Sequence, residues 1–259
     1  MTKLITLYSS SSGNCTLFEN DDTKILIDAG VSMSKITTAL SKVHTDPSQI
    51  DAVLVTHEHS DHTSGLGVFC KKYAPRIYAS LPTLECIKAN VIASADTFHS
   101  VDSSASFSVG SMSVKAFPTP HDSVSSVGYV IESEGKKYGI ATDTGTITKA
   151  MLSALATCEA VLIEANHDEN MLKSGPYPYP LKKRILSDKG HLSNDKCAWL
   201  ATQLAIWGTK KIMLGHMSDH NNTPSLAYNA VKNMLEKNGF IVDRDVILKV
   251  AQKDDICVL

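Results

Sequence analysis

Several features are scarce in this chain, and each scarcity narrows its class. No apolar run approaches the roughly 20 residues that a membrane-crossing helix needs, and the apolar stretch within residues 1–8 is too short for the core of a secretory signal. A cytoplasmic protein that makes no membrane contact is expected. The cysteines, Cys15, Cys70, Cys86, Cys158, Cys197 and Cys257, are dispersed and include no CxxC pair, which argues against a disulfide framework and a thiolate metal ribbon. Arginine occurs only at positions 76, 184 and 244. An excess of one charge is also missing. With 25 Lys and Arg against 27 Asp and Glu, the net charge of -2 gives no long-range attraction to nucleic acid or acidic lipid, so any such contact depends on a local patch. Internal repeats and low-complexity tracts are absent. What remains is 259 residues, 43% hydrophobic, enough to bury a full core as one domain over 1–259.

Short runs rich in valine and isoleucine alternate with segments of helical period. Strands are expected at 4–8, 15–18 and 24–28, then at 52–55, 77–79, 106–109, 112–117, 128–132, 137–141, 160–164, 211–214 and 246–250. Helices are expected at 32–42, 66–73, 83–89, 148–155, 194–206 and 225–238. Leading strands with interspersed helices imply an α/β (α+β) protein of stacked sheets with helices outside.

Directly after the 52–55 run comes Thr56-His57-Glu58-His59-Ser60-Asp61-His62. Imidazoles and a carboxylate suit Zn²⁺, Mn²⁺ or iron. Four potential ligands, His57, His59, Asp61 and His62, are too many for one open catalytic ion, which takes three protein ligands and a water, so the spacing suggests two adjacent ions. Three more candidates each follow an expected strand: His121 after 112–117, Asp143 after 137–141 and His216 after 211–214. Strand ends along one edge of a packed sheet converge, so these groups are expected to share a site. Glu58 points away from its histidine neighbours if the motif is extended, and is expected to orient a nearby loop. Asp28 is expected to support the motif by accepting hydrogen bonds from it.

The ordered set His57, His59, Asp61, His62, His121, Asp143 and His216 resembles that of the metallo-β-lactamase superfamily, whose fold is a four-layer αββα sandwich. The resemblance covers essentially the whole chain. It implies that His57, His59 and His121 bind one ion, Asp61, His62 and His216 a second, and that Asp143 bridges them. Two ions about 3.5–4 Å apart need such a negative bridge, and together they lower the pKa of a shared water toward about 7 in the zinc case. Oxygen-reducing diiron members carry glutamate where this chain has His59, and true lactam hydrolases lack the bridging aspartate, so neither chemistry is implied. Asp61, Glu164 and His191 are the catalytic candidates. Glu164-Ala165-Asn166 and His191-Leu192-Ser193 resemble the Glu-Ala-Thr and His-Ser-Thr strings of tRNA 3′-processing endonucleases, departing at Asn166 and Leu192. A Glu164 to His191 hydrogen bond would raise the histidine's pKa for proton donation. The same string also suits Ser193 as a helix cap with His191 packed beside it.

Residues 173–190 contain three prolines and read as a long irregular loop. Tyr177 and Tyr179 can stack on bases, and Lys182, Lys183 and Arg184 can meet phosphates; His220 and Asn221 are further candidates for lining the cleft. Ser-Ser-Gly-Asn at 11–14, Asn-His-Asp at 166–168, the Gly-Pro-Tyr-Pro segment, Gly-His-Leu-Ser-Asn at 190–194 and Asn-Asn-Thr-Pro at 221–224 together resemble the bacterial YycJ/WalJ group. That resemblance implies a metal-dependent 5′ to 3′ DNA exonuclease with a part in mismatch repair. The alternatives are a small-molecule hydrolase, such as a thioesterase, lactonase or cyclic phosphodiesterase, and a silent metal-binding regulator.

Overall fold

Alternate residues of the valine- and isoleucine-rich runs are buried on opposite faces. In the computed structural model, which describes residues 1–259, Ile25, Ile27, Ala52 and Leu54 belong to one core cluster, while Leu26, Val53 and Val55 belong to another. Strands buried on both faces read as continuous apolar runs, which is why these segments show no polar alternation. The first sheet holds β1 (Lys3–Ser10), β2 (Gly13–Glu19), β3 (Lys24–Ile27), β4 (Ala52–Leu54), β5 (Arg76–Ser80) and β6 (Phe98–Val101). The second holds β7 (Ser106–Val109), β8 (Met112–Pro118), β9 (Val127–Ser133), β10 (Lys136–Ala141), β11 (Ala160–Glu164), β12 (Lys211–Gly215) and β13 (Ile247–Val250). A short last strand, β14 (Cys257–Val258), returns to the first sheet beside β1. The sheets share one plan. Pairing is antiparallel from β1 to β3 and from β7 to β10, and parallel from β3 to β6 and from β10 to β13.

Helices α1 (Met33–Lys42), α2 (Ser60–Thr63), α3 (Leu66–Tyr73) and α4 (Leu81–Lys88) are interspersed with the first sheet's strands, and α5 (Lys149–Leu155), α6 (Glu169–Ser174), α7 (Tyr179–Ile185), α8 (Asn194–Ile206) and α9 (Pro224–Lys237) with the second's. Ile36, Leu40, Phe69 and Leu84 pack with Leu26 and Val53 on one outer side. Leu155, Leu200, Leu204, Val231 and Leu235 pack with Val161 and Ile163 on the other. Between the sheets lie Phe18, Leu54, Val114, Ile131 and Leu162; each such side chain contributes about 1.5–3 kcal/mol by leaving water. The layers are therefore the expected αββα sandwich. Fully buried Tyr129 donates its hydroxyl to the Val55 carbonyl at 2.8 Å, tying the second sheet to the segment that enters the histidine motif. No helix is long and apolar enough to cross a membrane.

Elements without an apolar run were not legible in the sequence. Edge strand β6 carries His99 and Ser100, and β14 has two residues. The larger departure lies at 173–190, expected as an irregular loop, which instead holds the end of α6 and all of α7. Pro178 caps α7 and Pro180 sits in its first turn, where the missing N–H would have had no helical acceptor. Proline here starts a helix.

Helix α2 sits against the residues after β3 because two glycines make room for it. The Ala29 N–H donates to the His62 carbonyl at 2.9 Å and the Gly65 N–H to the Ala29 carbonyl at 2.8 Å. A β-carbon on Gly30 would lie 1.6 Å from the Asp61 carbonyl oxygen, and one on Gly65 1.9 Å from that of Val31. Gly30→Ala is therefore expected to displace α2 and destabilise the protein by about 1–3 kcal/mol, read from the urea midpoint of metal-free protein. An unchanged midpoint would refute this close packing.

Candidate metal centre

Histidines and carboxylates far apart in sequence meet beyond the ends of four strands. His57, His59, Asp61 and His62 follow β4, His121 follows β8, Asp143 follows β10 and His216 follows β12. The ligand atoms of His57, His59 and His121 all lie within 4.8 Å of one another, and so do those of Asp61, His62 and His216. Each triad draws two residues from the first half of the fold and one from the second. Asp143 lies between them, with Oδ2 3.0 Å from His62 Nε2 and 3.4 Å from His216 Nε2, and Oδ1 3.5 Å from His121 Nε2.

The protein holds one nitrogen of most of these rings and leaves the other for the cleft. His62 Nδ1 lies 2.7 Å from Asp28 Oδ2, whose partner oxygen accepts the Thr56 N–H at 2.8 Å. Asp28 thus aims a ring, as expected for a support. His121 Nδ1 lies 3.1 Å from the Gly190 carbonyl, His57 Nδ1 3.1 Å from Thr56 Oγ1 and His216 Nδ1 2.9 Å from Glu164 Oε1. Such partners fix the tautomer and orientation of ligating imidazoles. The freed Nε2 atoms of His57 and His216 are buried with no hydrogen-bond partner. Buried polar atoms are rarely left so, and two orphaned imidazole nitrogens beside buried carboxylates fit a divalent cation.

Glu164 is completely buried and accepts four hydrogen bonds. Its Oε1 takes His191 Nδ1 at 2.7 Å and His216 Nδ1 at 2.9 Å; its Oε2 takes the N–H groups of Thr144 at 3.0 Å and Leu192 at 3.2 Å. Burial alone would raise its pKa, but the imidazoles hold it down to about 2. Burial likewise opposes charge on His191 and His216. Glu164, then Asp143, raises His191 above its ordinary value, and Asp143, together with nearby Asp61 and the hydrogen bond to Glu164, brings His216 up to about 10. Without a cation, protons balance the buried carboxylates, so ion binding must release them.

Three residues around the centre adopt left-handed backbone: Asp28 at φ 61°, Asp143 at φ 54° and His216 at φ 54°. Each follows a strand end, where the chain must turn sharply to aim its side chain. Asp and His are among the residues that tolerate this region, at a cost of about 1–3 kcal/mol each.

The cavity at the centre has a volume of about 220 Å³. His191, the expected proton donor, lines it, whereas Glu164 lies behind it. The amphipathic turn of α7 divides the residues expected to touch substrate. Tyr177 and Arg184 line the cavity with Leu181 and Ile185. Tyr179, Lys182 and Lys183 line a separate outward groove with Lys173 and Leu186, and Lys182 donates to the Lys173 carbonyl at 2.7 Å. Arg184 pairs with Asp122 through Nε and, at 3.1 Å, through a terminal nitrogen. His220 is exposed, its ring centroid 5.8 Å from that of Tyr177. Asn221 is a correction. It is fully buried and absent from the cavity wall, its amide donating to Ser218 Oγ at 3.3 Å, because the chain turns inward to begin α9. Glu58 accepts the Val124 N–H at 2.9 Å and so orients the loop after His121. Asn166 and Ser218 also line the cavity and were missed; each stands just past a strand end, the same signal that marked the ligands.

A family model described as a β-lactamase superfamily domain matches residues 23–217, from the start of β3 to just past His216. The chain belongs to the β-lactamase superfamily. Within this superfamily it is 38% identical over 232 residues to exodeoxyribonuclease WalJ of Streptococcus pneumoniae, covering 88% of this chain and 86% of the relative. It is 37% identical over 238 residues to exodeoxyribonuclease YycJ of Bacillus anthracis, covering 90% and 89%. Among solved structures, the metallo-β-lactamase fold protein YhfI from Bacillus subtilis matches with a TM-score of 0.75 at 14% identity, covering 100% of both chains, a likeness of fold. The resemblance drawn from the motifs therefore stands.

Glu164→Gln keeps the side chain's shape and removes the charge that both imidazoles share. It is expected to weaken Zn²⁺ or Mn²⁺ binding about 10–100-fold, measured by competition with a chromogenic chelator, with circular dichroism unchanged. Wild-type affinity would show that Glu164 does not position His216.

Proposed function

We propose that this protein is a dinuclear metal-dependent phosphodiesterase that degrades DNA as an exonuclease. The observation that carries the reading is the pair of buried three-residue ligand groups flanking Asp143; the names of the relatives aligned over nine-tenths of the chain give the substrate class. His57, His59 and His121 would hold one ion and Asp61, His62 and His216 the other, with Asp143 placed between the two groups to share its charge with both. When bound, the ions neutralise charge on the phosphoryl oxygens and lower the pKa of a water. Zinc, manganese and iron all suit the donor set.

The remaining steps fall to side chains. Asp61, kept ionised by His216 and His62 against the effect of its burial, reaches the cavity and orients the attacking water by accepting a hydrogen bond from it. His191, anchored through Nδ1 to Glu164, presents its other nitrogen to the cavity and donates a proton to the leaving alkoxide. Glu164, with four donors on its two oxygens, positions His191 rather than donating itself. Arg184 and Tyr177 meet the strand in the cavity, and Lys182, Lys183 and Tyr179 meet phosphates and bases outside it. A cavity of about 220 Å³ accommodates a phosphodiester with its sugar.

The deciding experiment is a degradation assay on DNA of defined ends across Zn²⁺, Mn²⁺ and Fe²⁺. Degradation should require metal, disappear in Asp143→Ala and weaken with salt through counterion release. Efficient thioester hydrolysis with no DNA degradation under any metal would sink the proposal. His191→Ala is expected to lose about 10²–10⁴-fold in kcat on DNA and far less on a p-nitrophenyl phosphodiester, whose leaving group departs without a proton; equal losses would exclude His191 as the acid. Lys182→Ala with Lys183→Ala should weaken DNA binding and flatten its salt dependence while sparing the small ester. An unaltered salt slope would remove these lysines from the DNA path.

A further inference from the structure

We infer that a groove on the far side of α2 from the metal centre is a nucleobase subsite, in which Glu58 accepts a hydrogen bond from an exocyclic amino group of the DNA strand. The inference rests on the DNA reading above. Helix α2 is a shared wall: Asp61 lines the metal cavity, whereas Ser60, Thr63 and Ser64 line the groove with Glu58. Since a helix is about 10–12 Å across, a strand with one phosphate at the centre can place a neighbouring nucleotide beyond it.

The groove is sized and built for a ligand. Its volume of about 610 Å³ falls in the range of roughly 300–1,000 Å³ common for small-molecule sites, and it exceeds the metal cavity. Val68, 57% exposed, and Ile92, 80% exposed, face solvent at the groove, while Ile87 and Val91 are buried beneath them, giving it aliphatic walls. A β-carbon on Gly67 would lie 2.5 Å from the Asn90 carbonyl oxygen, so glycine lets the two walls approach. Two charged groups complete the lining. Lys71 forms no ion pair and can meet a phosphate. Glu58 spends Oε1 on Val124, while its Oε2 is buried with no donor, an arrangement that costs free energy until a donor arrives. Aliphatic walls, a buried acceptor and a cation together match a base with an amino edge on a phosphate chain. Carboxylates accept from the amino group of cytosine, whereas thymine carries none.

Cys86 lies in the groove wall and is the one exposed cysteine, so its alkylation reports occupancy. With metal-loaded protein and nuclease-resistant phosphorothioate oligonucleotides, oligo(dC) is expected to slow alkylation at about tenfold lower concentration than oligo(dT), and Glu58→Gln, whose amide also donates, to erase the difference. Val68→Trp should fill the groove and lower kcat/KM on DNA at least tenfold while sparing a p-nitrophenyl phosphodiester. If wild-type protein degrades DNA yet no oligonucleotide protects Cys86, the subsite falls and the proposed function survives; if it degrades no DNA and Cys86 is unprotected, both fall. Equal protection by dC and dT, or equal loss on DNA and ester in Val68→Trp, overturns the subsite. Protection only by extract depleted of nucleic acid overturns it in favour of a protein partner.

Discussion

One buried carboxylate holds the two working sides of the centre together. Glu164 anchors His216, a candidate ligand, and His191, the proposed proton donor, through the same oxygen, while the other oxygen takes backbone N–H groups beside Asp143 and beside His191. A charge this deep is tolerable only when every lone pair is used. The hydrogen bonds that satisfy Glu164 therefore also fix the distance between ion and acid. The end of β11, the chain after β10, the segment before α8 and the end of β12 all take their relative positions from this group, which explains why a glutamate closes an otherwise apolar strand.

The sheets and the meeting of the candidate ligands were legible in the sequence for one reason. Strands covered on both sides show as unbroken apolar runs, and imidazoles or carboxylates placed just after them stand where buried polar groups need partners. His121, Asp143 and His216 could be picked out by that position alone. Conformation at single residues could not: nothing in the composition announces that Asp28, Asp143 and His216 turn left-handed, because the requirement comes from the turn each must make after its strand. Glu164's fourfold role was only half visible, since its link to His191 follows from a neighbouring string but its link to His216 depends on strands β11 and β12 lying side by side.

Residues 173–190 show how a correct choice of residues can come with the wrong shape. The spacing that puts Leu181, Arg184 and Ile185 on one face and Tyr179, Lys182 and Lys183 on the other is present in the sequence, but it carries meaning only for a helix, and the prolines argued against one. Once α7 forms, a single short element both walls the cavity and presents a basic exterior. The chain reaches this with one of its few arginines, Arg184, held by Asp122 at the cavity wall.

Each ligand triad takes two members from one half of the sandwich and one from the other, and Asp143 reaches toward both. A cation seated there would act as a rivet across the two sheets, so that losing it would remove a cross-link as well as a reactant. Folded stability would then follow ion supply by mass action, rising about 2.7 kcal/mol when free ion reaches a hundredfold excess over its dissociation constant. In a cell short of metal, the amount of folded protein would fall along with its activity, and the rationing of one ion would set how many copies survive proteolysis.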